Sequence, residues 1–343
     1  MNVLDRAEAI APPTRGGTAR TIARRAGKPL LGLAVVLALL AGAGAVYQAV
    51  ATGRAQRAQP APGAMVDVGG YRLHIACSGQ GGPTVVLDAA LGNMSAHWAR
   101  VQQEVATTTR VCAYDRAGLG WSEPGPGPRD AAHITSELHT LLGNAGIPGP
   151  YIMVGHSFGG LYTQLYAARY PEQVAGAVLV ESSHPQQFTR LPDGPQNYEM
   201  ARRLYTVAPV LAWLGVVRLF DLSAPPAGFP VGQRAQIEAW AGSTRHFGTT
   251  AEEFRAAPDT MAQAGVLRGL GDLPVAVVSA GQQNPGWLAL QNELAALSTN
   301  SSHHVVDGAT HTSVVDDPGH ARATSTAIVE VVDAARNTRP LPR

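Results

Sequence analysis

Charge is scarce in this sequence of 343 residues. Asp, Glu, Lys and Arg make up 15% of the chain, and 26 basic residues against 25 acidic ones leave a formal net charge of +1. Proteins that bind nucleic acid usually carry a clustered basic surface. The scarcity of charge and its balance therefore argue against nucleic acid as a partner.

Cysteine is scarce as well, with Cys77 and Cys112 the two examples in the chain. A zinc site built from closely spaced cysteine pairs is therefore excluded. The sequence has no His-Glu-x-x-His stretch, which is the usual helical zinc motif, and we interpret the pair His303-His304 as structural or surface residues. We expect no metal and no cofactor.

Charged residues are absent from the segment 29–50, which is rich in Leu, Ala, Val and Gly. About 20 apolar residues are enough to cross a bilayer as a helix, and the basic residues within 1–28 fit the tendency of positive charge to stay in the cytosol. We predict a basic cytosolic tail at 1–28, a single-pass signal anchor at 29–50 in the cell membrane, and a linker at 51–64. The rest of the chain would lie outside the cytosol. A signal peptide cleaved near 41–45 is the alternative and would give a secreted protein.

Short apolar runs alternate with segments of helical period in the remaining chain, 65–343. Such alternation predicts a mainly parallel sheet with helices on both faces. It is interrupted at about 184–272, where helical patterns follow one another without a strand between them, and this predicts an inserted helical cap. Ligands bind outside the carboxyl ends of the strands in open sheets of this kind, so the cap should cover the site.

One apolar run, at 151–154, stops at Gly155-His156-Ser157-Phe158-Gly159, and a helical pattern follows at 161–169. Strand, tight turn and helix form the context in which Gly-x-Ser-x-Gly presents a nucleophilic serine. Glycine on either side removes a Cβ that would collide with the neighbouring strand or helix. A serine hydroxyl is a poor nucleophile at neutral pH, so the turn predicts a histidine base elsewhere and backbone N–H donors nearby.

Three motifs in this order resemble the α/β-hydrolase fold family, in its capped, serine-dependent branch. The turn at Ser157 resembles the nucleophile elbow, the segment 115–122 is similar to the loop after the fourth strand, and 308–311 is similar to the histidine loop. The resemblance covers roughly 65–335. It implies the α/β-hydrolase fold with an eight-stranded sheet, Ser157 as the nucleophile and His311 as the general base and acid.

The sequence departs from the family pattern at two places. After the third strand the family often has His-Gly, whereas this chain has Ala-Ala-Leu-Gly at 89–92. The resemblance still implies the N–H groups of Phe158 and Leu91 as the oxyanion hole, since a backbone donor does not depend on the side chain. The usual acid after the resumed strand is missing, because the segment 279–284 contains no carboxylate.

We therefore look for the triad acid elsewhere. Glu181 directly follows the strand predicted at 174–180, so it emerges at the carboxyl end of the strand beside the nucleophile strand, as in some α/β-hydrolases. Asp307, four residues before His311, is the alternative acid. Another interpretation makes Glu181 a structural residue that hydrogen-bonds the two serines after it at the entry to the cap.

The resemblance also bears on the two cysteines. It implies that the strands holding Cys77 and Cys112 are adjacent and antiparallel, and thus a disulfide between them. Such a bond persists in an exported domain, and two buried free thiols are the alternative.

Taken together, these features predict a serine hydrolase that cleaves a carboxylic ester of a small, lipophilic substrate. The alternatives are an amidase, thioesterase or acyltransferase of the same fold, and a catalytically silent binding protein, which the missing acid favours. We interpret the apolar segment 204–219 as the core of the cap, with a lipophilic lid or a membrane-contacting face as the alternative.

Overall fold

The computed structural model describes residues 17–225 and 229–342, with side chains from residue 31. At its centre lies an eight-stranded sheet with strand order β1-β2-β4-β3-β5-β6-β7-β8. The first two strands pair antiparallel with their neighbours, and all later pairs are parallel. The mainly parallel sheet predicted from the sequence is therefore present. The strands are β1 (Ala64–Asp67), β2 (Arg72–Ser78), β3 (Thr84–Asp88), β4 (Val111–Tyr114), β5 (Tyr151–His156), β6 (Val174–Val180), β7 (Val275–Ala280) and β8 (Ser301–Val306).

Helices cover both faces of this sheet. On β3, Val85 and Leu87 pack in one apolar cluster, and Val86, between them, packs in another on the opposite face. Strands buried on both faces need such continuous apolar runs. The helices of the sheet domain are α2 (Ala99–Val105), α3 (Ala131–Asn144), α4 (Phe158–Arg169), α11 (Pro285–Ala295), α12 (Ser313–Asp316) and α13 (His320–Asn337).

The N-terminal helix α1 runs from Gly17–Ala58. Its segment Leu31–Ala58 is long and apolar enough to cross a membrane, with a mean hydropathy of 2.1 in a window that is 6% buried. The first 16 residues of the predicted basic tail lie outside the described residues, and the tail is helical from Gly17. The predicted linker 51–64 is helical as far as Ala58, because Ala, Arg and Gln favour helices, so the connection to β1 is short.

The predicted cap is present between β6 and β7. Its helices are α5 (Gln187–Arg190), α6 (Gly194–Trp213), α7 (Val216–Leu219), α8 (Val231–Ala241), α9 (Thr244–Arg255) and α10 (Ala257–Ala264). The cap helices α6 and α7 are separated at Gly215, which has a φ of 76°. Glycine adopts this left-handed conformation without the steric cost of a Cβ, and it commonly ends helices.

The two cysteines form the expected disulfide. Cys77 on β2 lies directly opposite Cys112 on β4, with their Cα atoms 4.0 Å apart. The bond therefore joins the antiparallel edge of the sheet to its parallel part.

Candidate active site

Ser157 occupies a sharp turn between β5 and α4, with φ 55° and ψ −120°. A positive φ is costly for a residue with a Cβ and is found mostly at functional sites. Glycine is needed on both flanks: a Cβ at Gly155 would overlap the carbonyl oxygen of Gly159, and a Cβ at Gly159 would overlap that of Asp88. The close packing that the sequence predicts for this turn is thus present.

Three predicted site residues meet at the carboxyl ends of the strands. Nε2 of His311, in the loop after β8, lies 3.0 Å from Oγ of Ser157, and its Nδ1 lies 3.1 Å from Oε2 of Glu181. The Glu181 side chain is fully buried and the His311 side chain is 39% exposed. A hydroxyl, an imidazole and a carboxylate joined in this order match the geometry of a serine triad.

The carboxylate of Glu181 faces four donors in the described part of the chain. Oε1 accepts from the backbone N–H of Ala280 at 2.7 Å and from Nε1 of Trp287 at 3.2 Å. Oε2 accepts from Nε2 of Gln283 at 2.7 Å and lies next to His311. A buried carboxylate needs such partners. The segment that lacks the usual acid therefore supplies donors to an acid from the neighbouring strand.

The other interpretations of the acid do not match these contacts. Asp307 is exposed, and among the hydrogen bonds of residues 17–225 and 229–342 none joins it to His311. Oγ of Ser182 bonds the carbonyl of Ser183 at 3.1 Å instead of the Glu181 side chain. Glu181 itself has a φ of 43°, which turns the chain from β6 towards the cap.

His156 supports the loop that holds His311. Its Nε2 lies 2.8 Å from the backbone carbonyl oxygen of His311. Burial lowers the pKa of His156 to about 3, and the neighbouring His311 adds to the effect. A neutral ring whose Nε2–H donates to this carbonyl follows, because a carbonyl oxygen can only accept. The sequence places His156 in the turn but gives no sign of this contact.

Leu91 and Phe158, the predicted oxyanion donors, lie in the loop after β3 and at the start of α4. Phe158 is the first residue of α4, where backbone N–H groups have no partner within the helix. The side chains of Leu91 and Phe158 share one apolar cluster. Neither N–H has an acceptor among the hydrogen bonds of the described residues. This agrees with the predicted role of both N–H groups, which stays a prediction.

Arg116, for which the sequence suggests no role, hydrogen-bonds the loop after β3 that contains Leu91. Its guanidinium is buried, and it donates to the carbonyl oxygens of Ala89 and Ala90 at 2.8 and 2.9 Å. It also pairs with Asp88 at 2.8 Å and with Glu253 of α9 at 2.8 Å. Arg116 thus links the loop after β3 to the cap. The sequence feature that could have indicated this role is the position of Arg116 in the motif at 115–122.

A cavity of about 220 Å³ lies between the loop after β8 and the cap, and no triad residue lines it. Its wall includes His156 and Thr312, which are direct sequence neighbours of Ser157 and His311, together with His97 and the cap segment 223–225. In the described part of the chain no three His, Cys, Asp or Glu side chains converge to hold a metal ion.

Comparison with known proteins adds the following. A family model of the alpha/beta hydrolase fold matches residues 83–212. An uncharacterized protein from Schizosaccharomyces pombe is 29% identical over 232 residues, covering 64% of this chain and 41% of that protein. Matches to the first curated relatives span 24% to 41% of those relatives' own lengths.

Solved structures agree with the fold. A thermophilic esterase from Thermogutta terrifontis is 20% identical with a TM-score of 0.59, and the match covers 77% of this chain and 94% of the esterase. The Cif epoxide hydrolase from Acinetobacter nosocomialis is 16% identical with a TM-score of 0.68, covering 84% and 96%. At these identities the likeness shows the fold, and the chemistry has to be argued from the site.

Proposed function

Since this chain belongs to the α/β-hydrolase fold family, we propose that it is a serine hydrolase that cleaves carboxylic esters. The observation that carries the proposal is the hydrogen-bonded series of Ser157, His311 and Glu181 at 3.0 and 3.1 Å. The N–H groups of Phe158, the residue after the serine, and of Leu91 would supply the oxyanion hole of an acyl-transfer site.

In the first half of the proposed reaction, Oγ of Ser157 attacks the ester carbonyl carbon while Nε2 of His311 takes the hydroxyl proton. The tetrahedral oxyanion is held by the N–H groups of Leu91 and Phe158. The C–O bond to the alcohol then breaks, and His311 gives its proton to the leaving alkoxide. In the second half, water attacks the acyl-enzyme with His311 as base, and the acid and free Ser157 are released.

Glu181 acts through His311 in this proposal. Its Oε2 accepts from Nδ1–H, which keeps the other ring nitrogen free to take the serine proton and stabilises the imidazolium when it forms. The donors from Ala280, Trp287 and Gln283 hold the carboxylate in place. A group held this way can orient the imidazole without reorganising during the reaction.

A serine at the elbow supports ester chemistry over the other reactions of this fold. Dehalogenases and epoxide hydrolases that resemble this branch form a covalent ester on an aspartate, and here position 157 carries a hydroxyl. A buried acid, an imidazole and a hydroxyl in series are suited to activating an alcohol nucleophile. We therefore place this chain with the hydrolases that form an acyl-serine.

We further propose that α1 anchors the protein in the cell membrane with the catalytic domain outside the cytosol. Its apolar segment is exposed along most of its length. The disulfide between Cys77 and Cys112 supports the same placement, because disulfides persist in oxidising compartments. Protease accessibility of the domain in intact cells, with and without permeabilisation, tests the orientation.

A fluorophosphonate probe tests the enzyme. We expect labelling of the folded protein to be lost in Ser157→Ala and kept in Ser136→Ala, a change at an exposed serine of α3. An unlabelled parent protein that is folded would instead mean a binding protein. A panel of esters, amides and thioesters of varied acyl length then ranks the substrates, and faster turnover of amides or thioesters would contradict the ester assignment.

A further inference from the structure

Helix α6 of the cap exposes a row of large apolar side chains. The row, called the cap stripe below, is 47–67% exposed, and at about 100° per residue its members spread over the half of the helix that lies opposite Ala201 and Tyr205. Its members are Met200, Leu204, Val207, Val210 and Trp213. The opposite face, with Ala201 and Tyr205, packs on the apolar cluster around Phe158. Apolar side chains thus lie on both sides of α6.

The exposed apolar surface continues past the end of α6. Leu219, Phe220 and Leu222 are 65–67% exposed. Outside α1, eleven large apolar residues of the described chain are exposed, and eight of them fall within 200–222. Scattered apolar residues are normal on a protein surface, but a contiguous patch marks an interaction site.

Helix α1 docks at the same end of the cap. A Cβ at Gly44 would overlap the carbonyl oxygen of Leu214, the residue after Trp213, so the two backbones touch there. Further along α1, Nε2 of Gln48 donates to the carbonyl of Gly242 at 2.7 Å. The part of α1 that begins at Gly44 therefore lies along the cap and close to the cap stripe.

Helix length decides how deep this contact lies. The charge-free run 29–50 is about 33 Å long at ~1.5 Å per residue, which matches a hydrocarbon core of ~30 Å. The part before Gly44, at 29–43, reaches only about 22 Å. A helix that crosses the bilayer must therefore use the residues that touch the cap. The cap surface beside Leu214 has to lie at membrane depth with them.

We propose that the cap stripe and the apolar residues after it are embedded in the outer leaflet of the bilayer that α1 crosses. The partner is lipid acyl chains, and the inference rests on the proposed membrane anchor. Gln48 fits this depth, because it is buried and its amide is hydrogen-bonded within the protein. Of the two interpretations of 204–219, the membrane-contacting face applies to its exposed side, and the cap core applies to its buried side.

The embedding also bears on the substrate. Tyr205 of α6 contacts Phe254 of α9 with ring centroids 4.9 Å apart, and Phe254 contacts Phe158 at 6.2 Å. Phe158 is the neighbour of Ser157, so only a few side chains separate the lipid phase from the nucleophile. The proposed ester substrate is then one that is dissolved in the membrane.

Trp213 provides the test. All five tryptophans lie in the described residues, and Trp213 is 47% exposed, whereas the other four are at most 8% exposed. The full-length protein is reconstituted into phosphatidylcholine vesicles with or without bromine on the acyl chains, because bromine quenches tryptophan within the hydrocarbon. We expect lower fluorescence in the brominated vesicles, and loss of this difference in Trp213→Phe.

Three outcomes would overturn the inference in distinguishable ways. Protein that stays with the vesicles after an alkaline wash but shows equal fluorescence in both lipids has its anchor inserted and its cap outside the membrane. Protein removed by the wash lacks the anchor altogether. Trp213 could instead become less accessible to water as the protein-to-lipid ratio rises, without being quenched by the brominated lipid. That result would identify a second copy of the chain as the partner.

A matched pair of variants adds an activity readout. Leu204→Glu places a charge on the cap stripe, and Ser136→Glu places one at an exposed polar position of α3 in the sheet domain. We expect Leu204→Glu to lower hydrolysis of a long-chain ester in vesicles by about tenfold, since charge is costly in hydrocarbon. Hydrolysis of a water-soluble short ester should stay within twofold, and Ser136→Glu should leave both rates unchanged. Equal losses of activity on both esters would contradict the inference. Inactivity of the parent protein on every ester would refute the proposed function, but it would not affect the conclusion from the fluorescence quenching.

Discussion

Replacing Glu181 by glutamine tests the candidate triad through its hydrogen bonds. Oε1 of Glu181 accepts from the backbone of Ala280 and the indole of Trp287. Both donors are fixed, so the oxygen of the new amide has to remain on that side. Its NH₂ group then faces Nδ1 of His311 and the side-chain amide of Gln283, in place of an oxygen that accepts from both.

This exchange reverses the hydrogen bond to the histidine. An NH₂ group donates, so Nδ1 of His311 becomes the acceptor and the ring proton moves to Nε2. That tautomer cannot take the proton of Ser157. Gln283 can rotate its amide to present oxygen to the new NH₂ group, so we expect the fold to be kept. The wrong tautomer costs about 10⁴ in turnover in a serine triad, or roughly 5.5 kcal/mol in activation free energy.

The assay is turnover of a water-soluble short-chain ester, with thermal unfolding to show that each variant is folded. Asp307→Asn is the matched control, because Asp307 is an exposed carboxylate four residues from His311, and it should keep activity within a few-fold of the parent. The reasoning is refuted by a Glu181→Gln protein within a few-fold of the parent beside a folded, inactive Asp307→Asn protein. In that case Asp307 is the acid.

Three further predictions concern other parts of the molecule. Ser157→Ala and His311→Ala should each lower turnover by about 10⁶, and the double variant should be no worse than either, because the triad acts as a unit; a His311→Ala protein with a tenth of parental turnover would mean another base. Replacing Cys77 and Cys112 together by serine should lower the free energy of unfolding by about 4 kcal/mol, the chain-entropy value for the sequence separation of 35 residues, and two free thiols titrated in denaturant without reductant would contradict the bond. His156 has a folded pKa of about 3, below its unfolded value near 6.5, so the unfolded state binds its proton first and stability falls as the pH drops below about 6.5. Between pH 7 and pH 5 the parent should lose on the order of 2 kcal/mol more than His156→Gln in urea unfolding, and identical losses would contradict the burial argument.

Local pattern was enough to predict the sheet, the cap and the turn at Ser157. Each depends on features a few residues apart, such as an apolar run that ends at a glycine. The position of Glu181 could be predicted as well, because it needs one further fact, namely which strand neighbours the nucleophile strand. Its assignment over Asp307 as a catalytic acid stays a prediction until the variants above are measured.

Other features depend on contacts that no local pattern contains. Arg116 meets Glu253 from a helix of the cap more than a hundred residues later, and His156 meets a backbone carbonyl, which any residue has. The helix through 51–58 was missed because its small residues resemble a linker until it packs on the cap. The break at Gly215 reflects a turn that accommodates Tyr47 of α1, and so it also depends on a distant segment.

The buried guanidinium of Arg116 has a consequence for how substrate reaches Ser157. A cap that lifted as a rigid body would draw Glu253 away from the buried guanidinium, which would keep Asp88 as its partner but lose two charge-assisted hydrogen bonds inside the protein. His246, on the same helix α9, holds the carbonyl of Gly92 at 2.6 Å and would be drawn away as well. We therefore expect α9 to behave as a fixed wall of the site. Exchange of substrate and product should depend on small movements elsewhere in the cap, such as the segment 223–225, which lines the cavity with His156 and Thr312. A cross-link between α9 and the sheet domain should therefore leave turnover unchanged.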